Sequence, residues 1–313
     1  MRAVGYVKYG GPEVLGIYDL PEIHAGPGQL RIRNYAATVN PTDIMARTGL
    51  QSERQKGIPP PYVPGMEAAG VVDEVGEGVT TGVQVGDSVL GLVIPRGDHG
   101  AYREQIVLNA QSVVALPAGK SFAEACTLPM NGLTARMSLD LLNLSPGQTI
   151  AVTGAAGAYG GYVIQLAKAE GLKVIADASE KDEQLVKSLG SDIVVRRGDD
   201  VASLIREHFP DGVDGLADGA VLNELVIPAV RGGGAFTSVR GFQGEAQRGI
   251  RFSKTFVMEY DRKFDKLDRL RQQVENGTLS LRLAATYPKE QAAAAHQRLE
   301  TGGTRGRLVI EFA

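Results

Sequence analysis

Between Ile150 and Lys168 the chain reads IAVTGAAGAYGGYVIQLAK, a sequence that can fold in few ways. Ile150, Ala151 and Val152 form a short apolar run, the pattern of a buried strand. From Gly154 to Gly161 every residue but Tyr159 is small, which suits a tight turn with close backbone approach. Val163, Leu166 and Ala167 then recur at i, i+3 and i+4, and predict a helix that begins at once. Strand, small-residue turn and helix in that order aim backbone N–H groups and a positive helix end at a pyrophosphate. The expectation is a bound dinucleotide.

The literal fingerprint of such a turn is incomplete. Aligned on Gly157 and Gly160, the pattern G-x-G-x-x-G finds Ala155 at its first position and Gly154 one place earlier. Context supplies what the pattern lacks. Leu172 to Ala176 reads as a second buried strand one helix later, closing a βαβ unit of about 30 residues. The competing reading is an ordinary strand–helix turn of an α/β domain.

The alternation continues on both sides. Helices are predicted at 122–128 and 134–142. Strands follow at 149–153, 172–176, 192–195, 213–217 and 234–239, with helices at 160–169, 180–188, 200–208 and 221–230. This spacing implies a parallel sheet with crossover helices, a Rossmann-type doubly wound α/β domain. The earlier residues read differently. Short β-type runs at 2–8, 29–34, 68–75, 88–92 and 101–107 are separated by Gly and Pro, the punctuation of a strand-rich barrel. Pro59, Pro60 and Pro61 exclude a helix interior or central strand there. A helix at 265–277, a second at 289–299 after Pro288 and a strand at 307–312 lead back to the first domain. The expected organisation is discontinuous: a dinucleotide domain over 119–265, inserted into a strand-rich domain of 1–118 plus 266–313.

Composition removes several classes of function. With 33 basic and 36 acidic residues there is no cationic excess for nucleic acid or an anionic membrane surface. No segment approaches the roughly 20 apolar residues of a membrane span, and a cytoplasmic location is expected. A single cysteine, Cys126, excludes an internal disulfide and any multi-cysteine metal site. Its neighbours Ala123, Ala125 and Leu128 read it as a buried small apolar residue. His24, His99, His208 and His296 show no i, i+4 pairing and stand beside no cysteine, so they read as surface or locally hydrogen-bonded residues.

Further motifs occur in a fixed order. Asn40-Pro41-Thr42-Asp43 is followed by Arg47 and Gly49, and PGMEAAGVV runs from Pro64 to Val72. Turns at Gly76–Val79 and Gly86–Val89, the stretch LPMNGLTA from Leu128 to Ala135, and GRLV from Gly306 to Val309 come after. The series resembles the medium-chain dehydrogenase/reductase family, in its zinc-independent quinone oxidoreductase branch. That resemblance implies a GroES-like barrel around the Rossmann-type domain. In zinc-dependent members a Cys stands at the place of Asn40 and a His-Glu pair at Met66-Glu67. Zinc takes about three N, S or O protein ligands in its catalytic sites, and Asn and Met are poor substitutes. The four-cysteine structural lobe is missing too. No metal is expected.

The residue ending the second strand separates NAD, held by an acid on the ribose 2′-OH, from NADP, which needs a cation or donor at its 2′-phosphate. Ala178 falls in the acid's place, and Asp177 stands one residue early, so it should leave the strand on its other face. By the resemblance, Ser179 and Lys181 fall where NADP-linked quinone reductases contact the phosphate, and Arg197 replaces a further phosphate-binding Tyr with a bidentate donor. Ser179 also reads as a helix N-cap, and Lys181 and Arg197 as solvated charge. The expected cofactor is NADPH, favoured over NADH by at least about tenfold, or about 1.4 kcal/mol.

The resemblance assigns the remaining roles. Asn40 is placed between nicotinamide and substrate as a hydrogen-bond donor, and Thr134 at the nicotinamide ribose or carboxamide. Backbone at Gly157, Ala158, Tyr159 and Gly160 faces the pyrophosphate, and Val239, Arg240 and Gly241 face the nicotinamide. Met45 takes the place of a pocket Tyr, Tyr62 is a second candidate for the pocket wall, and Asp43 is expected to fix the Asn40 loop. Without a Lewis acid the easier task is hydride delivery to an acceptor that spreads its own charge, a quinone or an α,β-unsaturated carbonyl. A trans-acting enoyl reductase on a polyketide-like or carrier-bound intermediate, and an NADPH-binding protein without turnover, stay open beside it. A homodimer is expected, with Lys254–Tyr260 as candidate edge strand or, equally, an interior one.

Overall fold

A computed structural model describes residues 1–312 of the chain. Strands β1 (Arg2–Gly5), β2 (Gly16–Asp19) and β3 (Gln29–Thr38) lead into helix α1 (Pro41–Arg47). Then come β4 (Glu67–Val75), β5 (Ser88–Leu92), β6 (Gln105–Asn109), β7 (Val113–Ala115), α2 (Phe122–Ala125) and α3 (Pro129–Leu142). The middle of the chain alternates: β8 (Thr149–Thr153), α4 (Ala158–Ala169), β9 (Lys173–Ala178), α5 (Glu183–Ser188), β10 (Ile193–Arg196), α6 (Val201–His208), β11 (Val213–Asp218), β12 (Val230–Ser238) and β13 (Arg251–Lys254). It closes with α7 (Phe264–Glu275), β14 (Leu283–Pro288), α8 (Ala292–Glu300) and β15 (Arg307–Glu311).

Contacts divide the chain into two units, one holding Met1–Met130, Asp261–Glu275 and Ser280 onward, the other Asn131–Tyr260 with Asn276–Leu279. The second unit is a six-stranded sheet in the order β10-β9-β8-β11-β12-β13, every pair parallel. β8 and β9 carry near-continuous apolar runs because both their faces are covered. Ala151, Ile175, Leu216 and Phe236 form the core on one face, with the Phe236 ring 5.8 Å from Phe242 and 5.5 Å from Phe252. This order is the doubly wound Rossmann arrangement, whose direction of winding reverses between β8 and β11.

The first unit is a seven-stranded sheet, β14-β15-β3-β4-β5-β7, with β6 also paired to β3 and β1–β2 forming a separate ribbon. β3 alternates at first, Leu30 and Ile32 inward, and then buries Ala36, Ala37 and Thr38 together where β4 and β15 flank it. α2 packs on β3 and β4, so residues 119–130 belong to this unit, and the division falls about a dozen residues beyond 118/119.

Three expected elements differ. The helix over 221–230 is replaced by two short 3-10 turns, Asn223–Leu225 and Ile227–Ala229. Val221 and Asn223 adopt left-handed backbone at φ 59° and 53°, and Pro228 removes a donor, so no α-helix can run through. The strand expected at 254–260 is instead β13, ending at Lys254 on the sheet edge, followed by a 3-10 turn over Val257–Tyr260. There Thr255 bonds Thr237 and Ser138 through its hydroxyl, and the Phe256 N–H meets the Met137 sulfur, so the backbone leaves the ladder. The strand expected over 101–107 begins only at Gln105, because Ala101 and Tyr102 bond Gly65 and Pro64 in a turn.

Candidate functional site

In the second unit the turn after β8 is shaped by two glycines. Gly154 sits at φ +65°, and a Cβ there would lie 2.9 Å from the Gly219 carbonyl carbon. A Cβ on Gly160 would lie 2.5 Å from the Gly154 oxygen and 2.8 Å from the Ala155 Cα. The positive-φ demand thus falls on Gly154, which explains why Ala155 is accepted at the fingerprint's first position. Gly157 is the N-cap of α4 and brings no capping side chain of its own. A helix start behind a turn of small residues fits a pyrophosphate.

The Tyr159 side chain turns inward. Its hydroxyl lies 2.7 Å from Ser138 Oγ, its ring fills the space a Gly219 side chain would need, and burial pushes its pKa well above the ordinary value. Only its backbone stays with the turn. Thr134 is buried on α3, its carbonyl accepting the Ser138 hydroxyl at 3.0 Å.

The other sequence candidates gather at the carboxyl ends of neighbouring strands. Arg197 follows β10, is exposed, and is tied beside β9 by its N–H to the Ala178 carbonyl at 2.9 Å. Lys181 is exposed on the turn after β9. Ser179 occupies an N-cap position there, yet its hydroxyl donates to the Asp182 carboxylate rather than capping backbone. Asp177 is 6% exposed and accepts the Ala155 N–H at 3.1 Å, so its carboxylate is spent on the glycine turn. Past β12, Val239 donates its N–H to the Asp218 carbonyl at 3.3 Å, Arg240 is exposed, and Gly241 takes φ +69°. Gly157, Ala158 and Gly160 stand with these at one crest, where ligands of open α/β sheets bind.

In the first unit, Asn40 opens α1 as its N-cap and is fully buried. Its Nδ2 donates to Thr38 Oγ1 at 3.2 Å and Glu67 Oε2 at 3.1 Å, while its Oδ1 accepts from Arg307 at 2.7 Å. An amide has two N–H groups, and both are taken. In this structure the Asn40 amide is thus engaged with Thr38, Glu67 and Arg307. Glu67, 0% exposed, also accepts the Met130 N–H at 2.9 Å, the Thr38 hydroxyl, and Arg307 Nη2 at 2.6 Å. Burial raises its pKa and the guanidinium opposes that.

Asp43 holds the loop as expected, accepting the N–H groups of Asn40 at 2.8 Å and Gly65 at 2.9 Å. Burial pushes its carboxyl up to about 6 in spite of those bonds. The Tyr102 hydroxyl bridges Asp43, 3.3 Å away, and His296 Nε2, 3.1 Å away. Met45 lies half-buried on α1. Tyr62 donates its hydroxyl to the Ile58 carbonyl at 2.9 Å and packs its ring 5.5 Å from Tyr6 and 6.1 Å from Tyr9. Nothing in those contacts ties Met45 or Tyr62 to the Asn40 network.

Sequence reasoning missed Glu67, Arg307, Tyr102 and His296. The signal for the first two was a charge at the head of an apolar strand, as in MEAAGVV and RLVI, because a charge so placed needs a partner. His296 is fully buried, its Nδ1 has no partner among the described residues, and burial together with the Arg47 charge pushes its pKa down to about 3. The unfolded chain then takes up the proton first as pH falls. Stability drawn from the neutral imidazole is present above the ordinary histidine pKa and is lost as pH falls toward that of the folded state. Relative to His296→Gln, the wild type should lose about 1.4 kcal/mol per pH unit in that window. Urea titrations across the acid limb check this, and parallel curves for the two proteins reject it.

Residues 26–135 match the alcohol dehydrogenase GroES-like domain and residues 189–310 the zinc-binding dehydrogenase domain. The NADPH-dependent alkenal/one oxidoreductase of Arabidopsis thaliana is 30% identical over 99% of this chain and 79% of its own length. The quinone oxidoreductase of Pseudomonas aeruginosa is 30% identical over 99% of both chains. A crystal structure of an NAD-dependent alcohol dehydrogenase superimposes with a TM-score of 0.87 at 30% identity, over all of each chain.

The zinc in the second domain's name does not suit the atoms present. Met66 Sδ accepts the Thr42 hydroxyl at 2.9 Å, the Asn40 amide is fully engaged, and Glu67 is paired with a guanidinium. Arg307 already supplies the positive charge that a metal would bring to this carboxylate. No helix is long and apolar enough to cross a membrane among the described residues.

Proposed function

The chain belongs to the medium-chain dehydrogenase/reductase family, in its quinone oxidoreductase-like branch, and from that premise we propose an NADPH-dependent reductase of quinones or α,β-unsaturated carbonyls that works without a metal. Oxidoreductase chemistry with a nicotinamide dinucleotide comes with the family. A bound nicotinamide supplies the hydride.

The Glu67–Arg307 pair carries the reading. It takes up the carboxylate at the metal position of zinc-dependent relatives, with Asn40 and Met66 beside it in the place of good ligands. An acceptor that delocalises its own negative charge asks least of such a site. Lys181 and Arg197, exposed next to Ala178, support the phosphorylated nucleotide, since cations there would meet a 2′-phosphate.

Nicotinamide absorbance with a panel of quinones, 2-alkenals and saturated ketones tests this. Turnover is expected with the first two, at least about a hundredfold above the ketones, and unchanged by a strong zinc chelator. Calorimetric titration should give NADPH at least about tenfold tighter binding than NADH. Inhibition by the chelator, equal affinities, or tight NADPH binding with no turnover each overturns the corresponding part.

A further inference from the structure

Asp177 stands at the crest of the dinucleotide unit, one residue out of place for a ribose ligand. Its carboxylate accepts the Ala155 N–H at 3.1 Å. Gly154 and Ala155 begin the turn, and Gly154 is held at φ +65° with Gly219 packed against it. Ala155 is fully buried, so its N–H has no route to water and needs a protein partner. On the other side, the Tyr159 hydroxyl anchors the start of α4 to Ser138 of α3 at 2.7 Å. The turn is therefore gripped at both ends by side chains that do not face a ligand.

We propose that Asp177 is a positioning residue for the dinucleotide: it sets the Gly154–Ala155 backbone so that the turn and the start of α4 are shaped before the cofactor arrives, and it takes no part in reading the ribose 2′ substituent. The inference rests on the dinucleotide reading above. A carboxylate spends its acceptor lone pairs where its donors are, and the donor here is the turn's own Ala155 N–H. Burial raises its pKa, while the backbone bond and the nearby Arg197 charge hold it down, which accords with a carboxylate committed inward. The benefit would be preorganisation, because a turn already ordered loses less entropy when it closes on a pyrophosphate.

Three probes separate the possibilities: NADPH, NADH and adenosine 2′-monophosphate, which lacks the pyrophosphate. In Asp177→Ala the dissociation constants of both dinucleotides should rise in parallel by about tenfold, with their ratio held within about twofold. Affinity for adenosine 2′-monophosphate should stay as in the wild type. Asp177→Asn keeps one acceptor oxygen and should show a smaller parallel loss, about threefold. Lost NADH affinity with improved NADPH affinity would make Asp177 a ribose ligand and overturn the proposal. Equal weakening of all three probes would mean a general structural role and overturn it as well. So would unchanged dinucleotide affinity. Failure of the underlying reading is visible earlier, as a wild-type protein that binds neither dinucleotide.

Discussion

Arg307→Met should lower the free energy of unfolding by about 3–5 kcal/mol, the range for a buried ion pair left with one partner. Glu67 has no solvent to turn to, and the substitution also leaves the Asn40 Oδ1 without its donor. Burial already raises the Glu67 pKa, and removing the guanidinium raises it further. A carboxyl with a raised folded pKa binds its proton more tightly in the native state. The deficit should therefore be largest at neutral pH and above, and should shrink as pH falls toward the unfolded carboxyl pKa of about 4.3. Glu67→Gln combined with Arg307→Met removes both charges and lets the new amide donate to Asn40. The double variant should recover at least about 2 kcal/mol relative to the sum of the single ones. Urea unfolding at two pH values measures all three. A loss below about 1 kcal/mol in Arg307→Met would mean that the pair contributes no more than an exposed salt bridge.

Gly160→Val should weaken NADPH binding by at least about a hundredfold and cost about 1–3 kcal/mol of stability from overpacking. The atoms a Cβ would strike are backbone, the Gly154 oxygen and the Ala155 Cα, and neither can rotate away. Relief comes only if the first turn of α4 moves off the end of β8, which carries its N–H groups away from the phosphate position. Gly157→Ala is the graded comparison, since a Cβ there would be 3.0 Å from the Gly154 oxygen alone and the backbone is already extended at φ −72°. Its binding loss should be clearly smaller. Titration by NADPH fluorescence ranks the variants, and equal affinities for wild type and Gly160→Val would remove the turn from the cofactor site.

What could be read from sequence was what neighbours along the chain determine. The β8–turn–α4–β9 unit follows from apolar periodicity and small residues within about 30 positions, so its elements fall within a residue or two of expectation. Asn40 shows the opposite case. Its type and family position suggest a donor, and in this structure its amide is engaged with Thr38, with Glu67, 27 residues on, and with Arg307, 267 residues on. No local pattern reports such partners. The segment 221–230 failed for another reason, since its apolar spacing permits a helix while Val221 and Asn223 are held in left-handed backbone and Pro228 interrupts. Lys254–Tyr260 has strand-like composition, and side-chain hydrogen bonds at Thr255 pull it from the ladder.

The partnership of Glu67 with a guanidinium 240 residues further along also sets an order of events on the ribosome. The chain emerges from its N-terminus, and domains fold largely as they appear. β8 to β13 form one unbroken stretch and can close their sheet as soon as Lys254 is out. The sheet of the first unit cannot, because β3 must wait for β15, and the buried carboxylate must wait for its cation. The stretch from β8 to β13 is thus expected to close first, while β3 waits for β15 and Glu67 for Arg307. On that order, a dinucleotide added to nascent chains truncated after Lys254 should already protect β8 to β13 from protease.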